Sequence, residues 1–113
     1  MSESSDIPLE ISVIEAKRLL DSAPDATTLI DVREPDEMEI CQIAGATPIP
    51  MRLIPEQVAA LPRDRRLLIL CHSGGRSLRV TEFLRARGFE AVSNVAGGID
   101  AWAQEIDATL RRY

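Results

Sequence analysis

Apolar residues along this chain switch repeatedly between helical and strand spacing. Ser12 followed by Glu15 has a capping-box pattern, and Val13, Ala16, Leu19 and Leu20 behind it predict a helix ending near Ser22. Thr27 to Val32, an apolar run opened by β-branched residues, predicts a buried strand with Asp31 near its carboxyl end. Pro35 opens an acidic turn of helix reaching about Ile40. Ala46 to Ile49, between Gly45 and Pro50, predicts a short strand, and Pro55 starts a helix carrying Val58, Ala59 and Leu61 that Pro62 halts. Leu67 to Leu70 is apolar throughout, as expected of a central strand covered on both faces. Leu78, Val80, Phe83, Leu84 and Ala86 give a helix from Ser77 to Arg87, stopped by Gly88. Ala91 to Val95 predicts the last strand, Gly97-Gly98 a turn, and Ile99 to Gln104 and Ile106 to Arg112 short helices. The opening residues, polar and acidic apart from Ile7, Pro8 and Leu9, are expected to fray. The organisation expected is a flexible segment over 1–11 and a single domain over 12–113.

Strands alternating with helices imply an α/β fold with a mostly parallel sheet and helices on both faces. Ligands of such sheets bind beyond the carboxyl ends of the strands, the edge where Asp31, Arg33 and the segment after Leu70 fall. A chain of 113 residues, 45% hydrophobic and 27% charged, can build one core without staples, so Cys41 and Cys71 need not be structural. The longest apolar run, Leu67 to Cys71, is far short of the ~20 residues of a membrane span. Without a secretory signal at its start the sequence reads as cytoplasmic, where both thiols would be reduced. The net charge is −5, but residues 1–56 hold 12 acids against 4 bases and residues 57–113 hold 6 against 9. That balance argues against nucleic-acid binding and leaves room for a small anion in the second half. Two Cys and one His are too few for an ordinary zinc site, so no metal is expected.

The informative unit is Cys71-His72-Ser73-Gly74-Gly75-Arg76-Ser77, set between the strongest strand and a helix. Two glycines let the backbone curl so that successive amides point inward as an anion nest. The helix start and Arg76 add positive charge, and together these favour thiolate over thiol at Cys71. Such a loop could hold an oxyanion under attack or a negative group already attached to sulfur. Cys71 alone could equally be a small buried residue at a strand end. His72 is expected to face solvent or support the loop, and no second His exists for a Cys-His pair. Ser73 and Ser77 read as hydrogen-bond donors and a helix cap.

At this point the chain resembles the single-domain rhodanese-like sulfurtransferases, over about residues 12–104. The resemblance lies in Leu29-Ile30-Asp31-Val32-Arg33-Glu34, in Ile43-Ala44-Gly45-Ala46, in the Cys71 to Ser77 loop, and in Val95-Ala96-Gly97-Gly98 followed by Ala101-Trp102. It implies a three-layer sandwich around a sheet of about five strands. It implies further that Cys71 takes a sulfane sulfur from a donor such as thiosulfate, carries it as a persulfide, and passes it to cyanide, a thiol or a sulfur-relay protein. No cofactor is implied. The amides of His72 to Ser77 would cradle the outer sulfur, Arg76 would orient the loop or hold the donor, and Arg33 would be a further candidate for the donor's sulfonate. Asp31 and Glu34 would fix these arginines, or simply form solvated ion pairs.

The resemblance is incomplete at Cys41-Gln42, where the family usually has Gly-His. Cys41 could resolve the Cys71 persulfide or be an ordinary half-buried thiol. Two other functions compete. A related cysteine phosphatase or arsenate reductase would place one more residue between Cys and Arg than the four present here, and would need an acid that no residue supplies. A non-catalytic rhodanese-like interaction module would usually have lost the loop cysteine or its glycines, which this chain keeps.

Overall fold

The computed structural model describes residues 7–113. Five strands, β1 (Glu10–Ile11), β2 (Thr27–Asp31), β3 (Thr47–Pro48), β4 (Arg66–Leu70) and β5 (Val92–Val95), form one sheet in the order β1-β5-β4-β2-β3. Every neighbouring pair is parallel. Parallel neighbours require crossovers, and the helices α1 (Val13–Ser22), α2 (Pro35–Ile40), α3 (Ile54–Gln57) and α4 (Gly75–Ala86) lie within them; α5 (Gly98–Glu105) follows the last strand.

Alternation along β4 divides the core into two layers. Leu67 and Ile69 pack with Ile30, Ile54, Val80 and Leu84 on one face, while Leu68 and Leu70 pack with Leu29, Ala16, Ile99 and Trp102 on the other. The side chains of Leu67, Leu68, Ile69 and Leu70 are at most 1% exposed, and each contributes about 1.5–3 kcal/mol by its burial. This two-sided cover is why β4 reads as an unbroken apolar run.

The topology also selects a place for chemistry. From β2 the chain runs outward to the edge strand β3, then returns past β2 to β4 and on to β5. Strand order therefore reverses between β2 and β4, whose ends pair as Asp31 with Leu70. A crevice beyond the carboxyl ends at such a reversal is the usual ligand site of an open α/β sheet. The Val32 N–H extends this pairing to the Leu70 carbonyl at 2.8 Å, so the segments following β2 and β4 leave the sheet side by side.

Several local expectations need correction. Glu10–Ile11, placed by sequence in the fraying segment, forms β1 beside Asn94 and Val95; two residues are too few to show alternation. The rest of that expectation, over residues 1–6, lies outside the described residues. The helix expected after Pro55 is a tight sequence of a 3-10 turn at Met51–Leu53, α3, and another 3-10 turn at Val58–Ala60. Pro55, in the first turn of α3, separates it from the 3-10 turn before it, having no N–H to carry that turn forward. The helix expected from Ile106 to Arg112 does not form. Asp107 instead accepts hydrogen bonds from the Thr109 backbone and hydroxyl, a local turn that competes with helix. Among the described residues no helix is long and apolar enough to cross a membrane.

Candidate active site

Cys71 follows β4 directly and is 1% exposed. The loop after it has its carbonyls tied down from below. The Ile99 N–H donates to the Cys71 carbonyl at 2.9 Å, the Asp100 N–H to the His72 carbonyl at 3.0 Å, and Asn94 Nδ2 to the Gly74 carbonyl at 3.2 Å. This contact depends on Gly98, which has φ +59°; a Cβ there would lie 2.4 Å from the Cys71 oxygen and 2.5 Å from that of His72. Gly74, with φ +110°, makes the turn into α4. With the carbonyls engaged by α5 and β5, donors are free to converge on the sulfur. The Gly74 N–H and the Ser77 hydroxyl donate to Cys71 Sγ at 3.1 and 3.2 Å.

Burial pushes the Cys71 thiol up, but hydrogen bonds from the Ser77 hydroxyl and from the Ser77, Gly74 and Ser73 amides outweigh it. The thiol therefore lies below its ordinary pKa. The sequence leads one to expect the Arg76 charge at the sulfur. In the structure that guanidinium turns to Glu37, with Nη1 and Nη2 at 2.7 and 2.9 Å from the two carboxylate oxygens. Held by this pair, with Arg76 first among the causes, the Glu37 carboxyl drops to about 2. Arg76 keeps 35% of its side chain exposed, so it stands at the rim of the loop.

Arg33 is placed differently from the expectation. It is fully buried, and its five N–H groups are engaged by the Asp31 carboxylate, the Glu37 and Cys41 carbonyls, the Tyr113 hydroxyl and Met38 Sδ. A guanidinium committed in this way has nothing left to offer a donor sulfonate; its role is to tie β2 to α2. The Asp31 carboxylate pairs with Arg33 at 2.8 Å, but Glu34 pairs with neither Arg33 nor Arg76. It forms an exposed pair with Arg52 at 3.2 Å, and the partner of Arg76 is Glu37. Within the run of acids from Glu34 to Glu39, nothing in the spacing marked Glu37 as that partner.

His72 is half-buried and packs against the end of the described chain. Its ring stacks on Tyr113 with centroids 4.0 Å apart and planes 13° from parallel, and its Nε2 is buried without a hydrogen-bond partner. Ser73 and Gly75 are exposed at the loop's outer side. Cys41 is a half-buried free thiol capping α2, beside the core layer of α1 and α5.

The site is thus a cysteine with a lowered pKa, in a loop of inward-facing donors at the switch point of a parallel α/β sheet. The chain belongs to the rhodanese-like domain family, whose model matches residues 12–105. It is 38% identical over 89 residues to a sulfurtransferase of Allochromatium vinosum, covering 79% of this chain and 81% of that protein. It is also 37% identical over 93 residues to the rhodanese-like/PpiC domain-containing protein 12 of Arabidopsis thaliana, again covering 79% of this chain but 31% of that longer protein. Among solved structures it is similar to a rhodanese-like domain protein from Staphylococcus aureus, with a TM-score of 0.78, 32% identity, and coverage of 88% and 95% of the two chains.

Proposed function

We propose that this protein is a sulfurtransferase that carries a sulfane sulfur on Cys71. The observation carrying this reading is the convergence of the Gly74 amide and the Ser77 hydroxyl on Sγ. Donors so arranged stabilise a negative charge at or just beyond the sulfur, in the thiolate and in the persulfide anion alike. In the first half-reaction the Cys71 thiolate attacks the outer sulfur of a donor such as thiosulfate. The donor's S–S bond breaks and sulfite leaves with the electron pair. In the second, cyanide, a thiol or a cysteine of a relay protein attacks the outer sulfur of the persulfide, and the departing electron pair restores the Cys71 thiolate.

Arg76, at the rim and already neutralised in part by Glu37, would meet the anionic donor without binding it so tightly that sulfite cannot leave. The acceptor would approach from the side of the exposed residues Ser73 and Gly75. No step calls for a metal or organic cofactor, and a reducing compartment such as the cytoplasm would keep Cys71 ready for the donor. The narrow loop, with four residues between Cys71 and Arg76, suits a single sulfur atom better than a tetrahedral phosphate.

The test is steady-state turnover of thiosulfate and cyanide by the wild type and Cys71→Ser, followed as thiocyanate. The reading expects parallel double-reciprocal lines, the mark of two separate half-reactions, and loss of turnover in the variant. Retained turnover in Cys71→Ser would reject it.

A further inference from the structure

The segment after α5 returns to the site in a way that the sulfur-carrier reading does not use. The Asp107 turn and an ion pair from Arg112 to Asp100 at 2.9 Å lead the chain back over the loop. Tyr113 then touches three parts of the site at once. Its ring lies on His72; its hydroxyl accepts from Arg33 Nη1 at 3.0 Å and donates to Glu37 Oε2 at 2.8 Å.

Each contact falls on a side chain that borders the loop. His72 Nε2 has no hydrogen-bond partner, so on that side the imidazole is held by the stack and not by a polar contact. His72 also joins Cys71 to Ser73, whose amide is one of the groups lowering the Cys71 pKa. On the other side, the Glu37 carboxylate takes four hydrogen bonds: two from Arg76, one from the Glu34 amide and one from Tyr113. The last ties the carboxylate, through the phenol, to the buried Arg33. Burial pushes the phenol up to about 12, so it remains protonated and keeps donating to Glu37 at neutral pH.

We propose that Tyr113 is a positioning residue for the Cys71 loop, its ring setting His72 and its hydroxyl completing the carboxylate that holds Arg76. Its use in catalysis rests on the sulfur-carrier reading, but its effect on Cys71 does not. Two substitutions separate the contacts: Tyr113→Phe keeps the ring and removes the hydroxyl, and Tyr113→Ala removes both. Cys71 alkylation by iodoacetamide across pH, followed by peptide mass, reads the loop without any sulfur donor. The KM for thiosulfate reads Arg76.

Tyr113→Ala is expected to raise the alkylation midpoint by about half a unit or more, as the Ser73 and Gly74 amides lose alignment with the sulfur. Tyr113→Phe is expected to keep the wild-type midpoint and raise KM about threefold with little change in kcat. In a Glu37→Gln background Tyr113→Phe should add nothing, because both changes act through Arg76. The proposal is overturned if folded Tyr113→Ala alkylates with the wild-type midpoint, or if the Tyr113→Phe and Glu37→Gln effects on KM multiply in full. Absence of thiosulfate turnover in the wild type would count against the sulfur-carrier reading alone, and the alkylation midpoint would still decide the role of Tyr113.

Discussion

Replacing Ser77 by Ala removes one oxygen from a side chain with no exposed surface, and that oxygen donates directly to Cys71 Sγ at 3.2 Å. A hydrogen bond to a charged acceptor contributes about 1.5–3 kcal/mol. At 1.36 kcal/mol per unit, its loss should raise the thiol pKa by roughly one to two units. The amides of Ser73, Gly74 and Ser77 remain, so the thiolate is weakened and not abolished. The sign reverses at high pH. Above both midpoints each protein is fully thiolate, and nucleophilicity rises with pKa at a Brønsted slope of about 0.4–0.5, so the Ala variant should alkylate roughly 2.5- to tenfold faster. Iodoacetamide alkylation followed from pH 5 to 10 reads both effects as two curves that cross. The Thr81 hydroxyl bonds the Ser77 carbonyl, which the substitution leaves in place, so stability should change little. A midpoint unmoved in the folded variant would refute the assignment of the low pKa to donors around the sulfur.

Gly98→Ala places a methyl 2.4 Å from the Cys71 carbonyl at a left-handed φ; it should cost about 1–3 kcal/mol in a denaturant titration and weaken sulfur loading as well. Wild-type stability and loading together would contradict the role given to α5. Arg33→Ala leaves the buried Asp31 carboxylate without its partner and should destabilise by about 3–5 kcal/mol in urea unfolding; an unchanged midpoint would mean the pair carries no structural role. Glu37 has a folded pKa of about 2 against an ordinary 4.5, so its contribution is complete above 4.5 and fades as pH falls through 2. Thermal midpoints taken from pH 5 downward should fall less steeply in Glu37→Gln than in wild type, and identical slopes would remove Glu37 from the account.

Chemistry that depends on backbone was legible in the sequence. The apolar run Leu67 to Leu70 and the Gly74-Gly75 turn are local signals, and they suffice to set the Cys71 loop at a strand end. The partners of the arginines were not legible. Arg33 and Arg76 sit in similar local settings, yet one is fully buried and the other stands at the rim. That difference is decided by how α2 packs beside the loop, across 39 residues for Glu37 and Arg76. The missed strand β1 has the same origin, since two residues become a strand only because Asn94 and Val95 offer an open edge. Tyr113 left no mark at all, because stacking on His72 has no periodicity to detect.

If Cys71 itself carries the transferred sulfur, the intact mass of the protein will show it. Wild type and Cys71→Ser would be treated with thiosulfate, desalted and weighed, then exposed to cyanide and weighed again. The account predicts that wild type alone gains the mass of one sulfur atom and loses it to cyanide as thiocyanate. A sulfur adduct of equal extent on Cys71→Ser, releasable by cyanide, would place the carrier elsewhere and contradict the account.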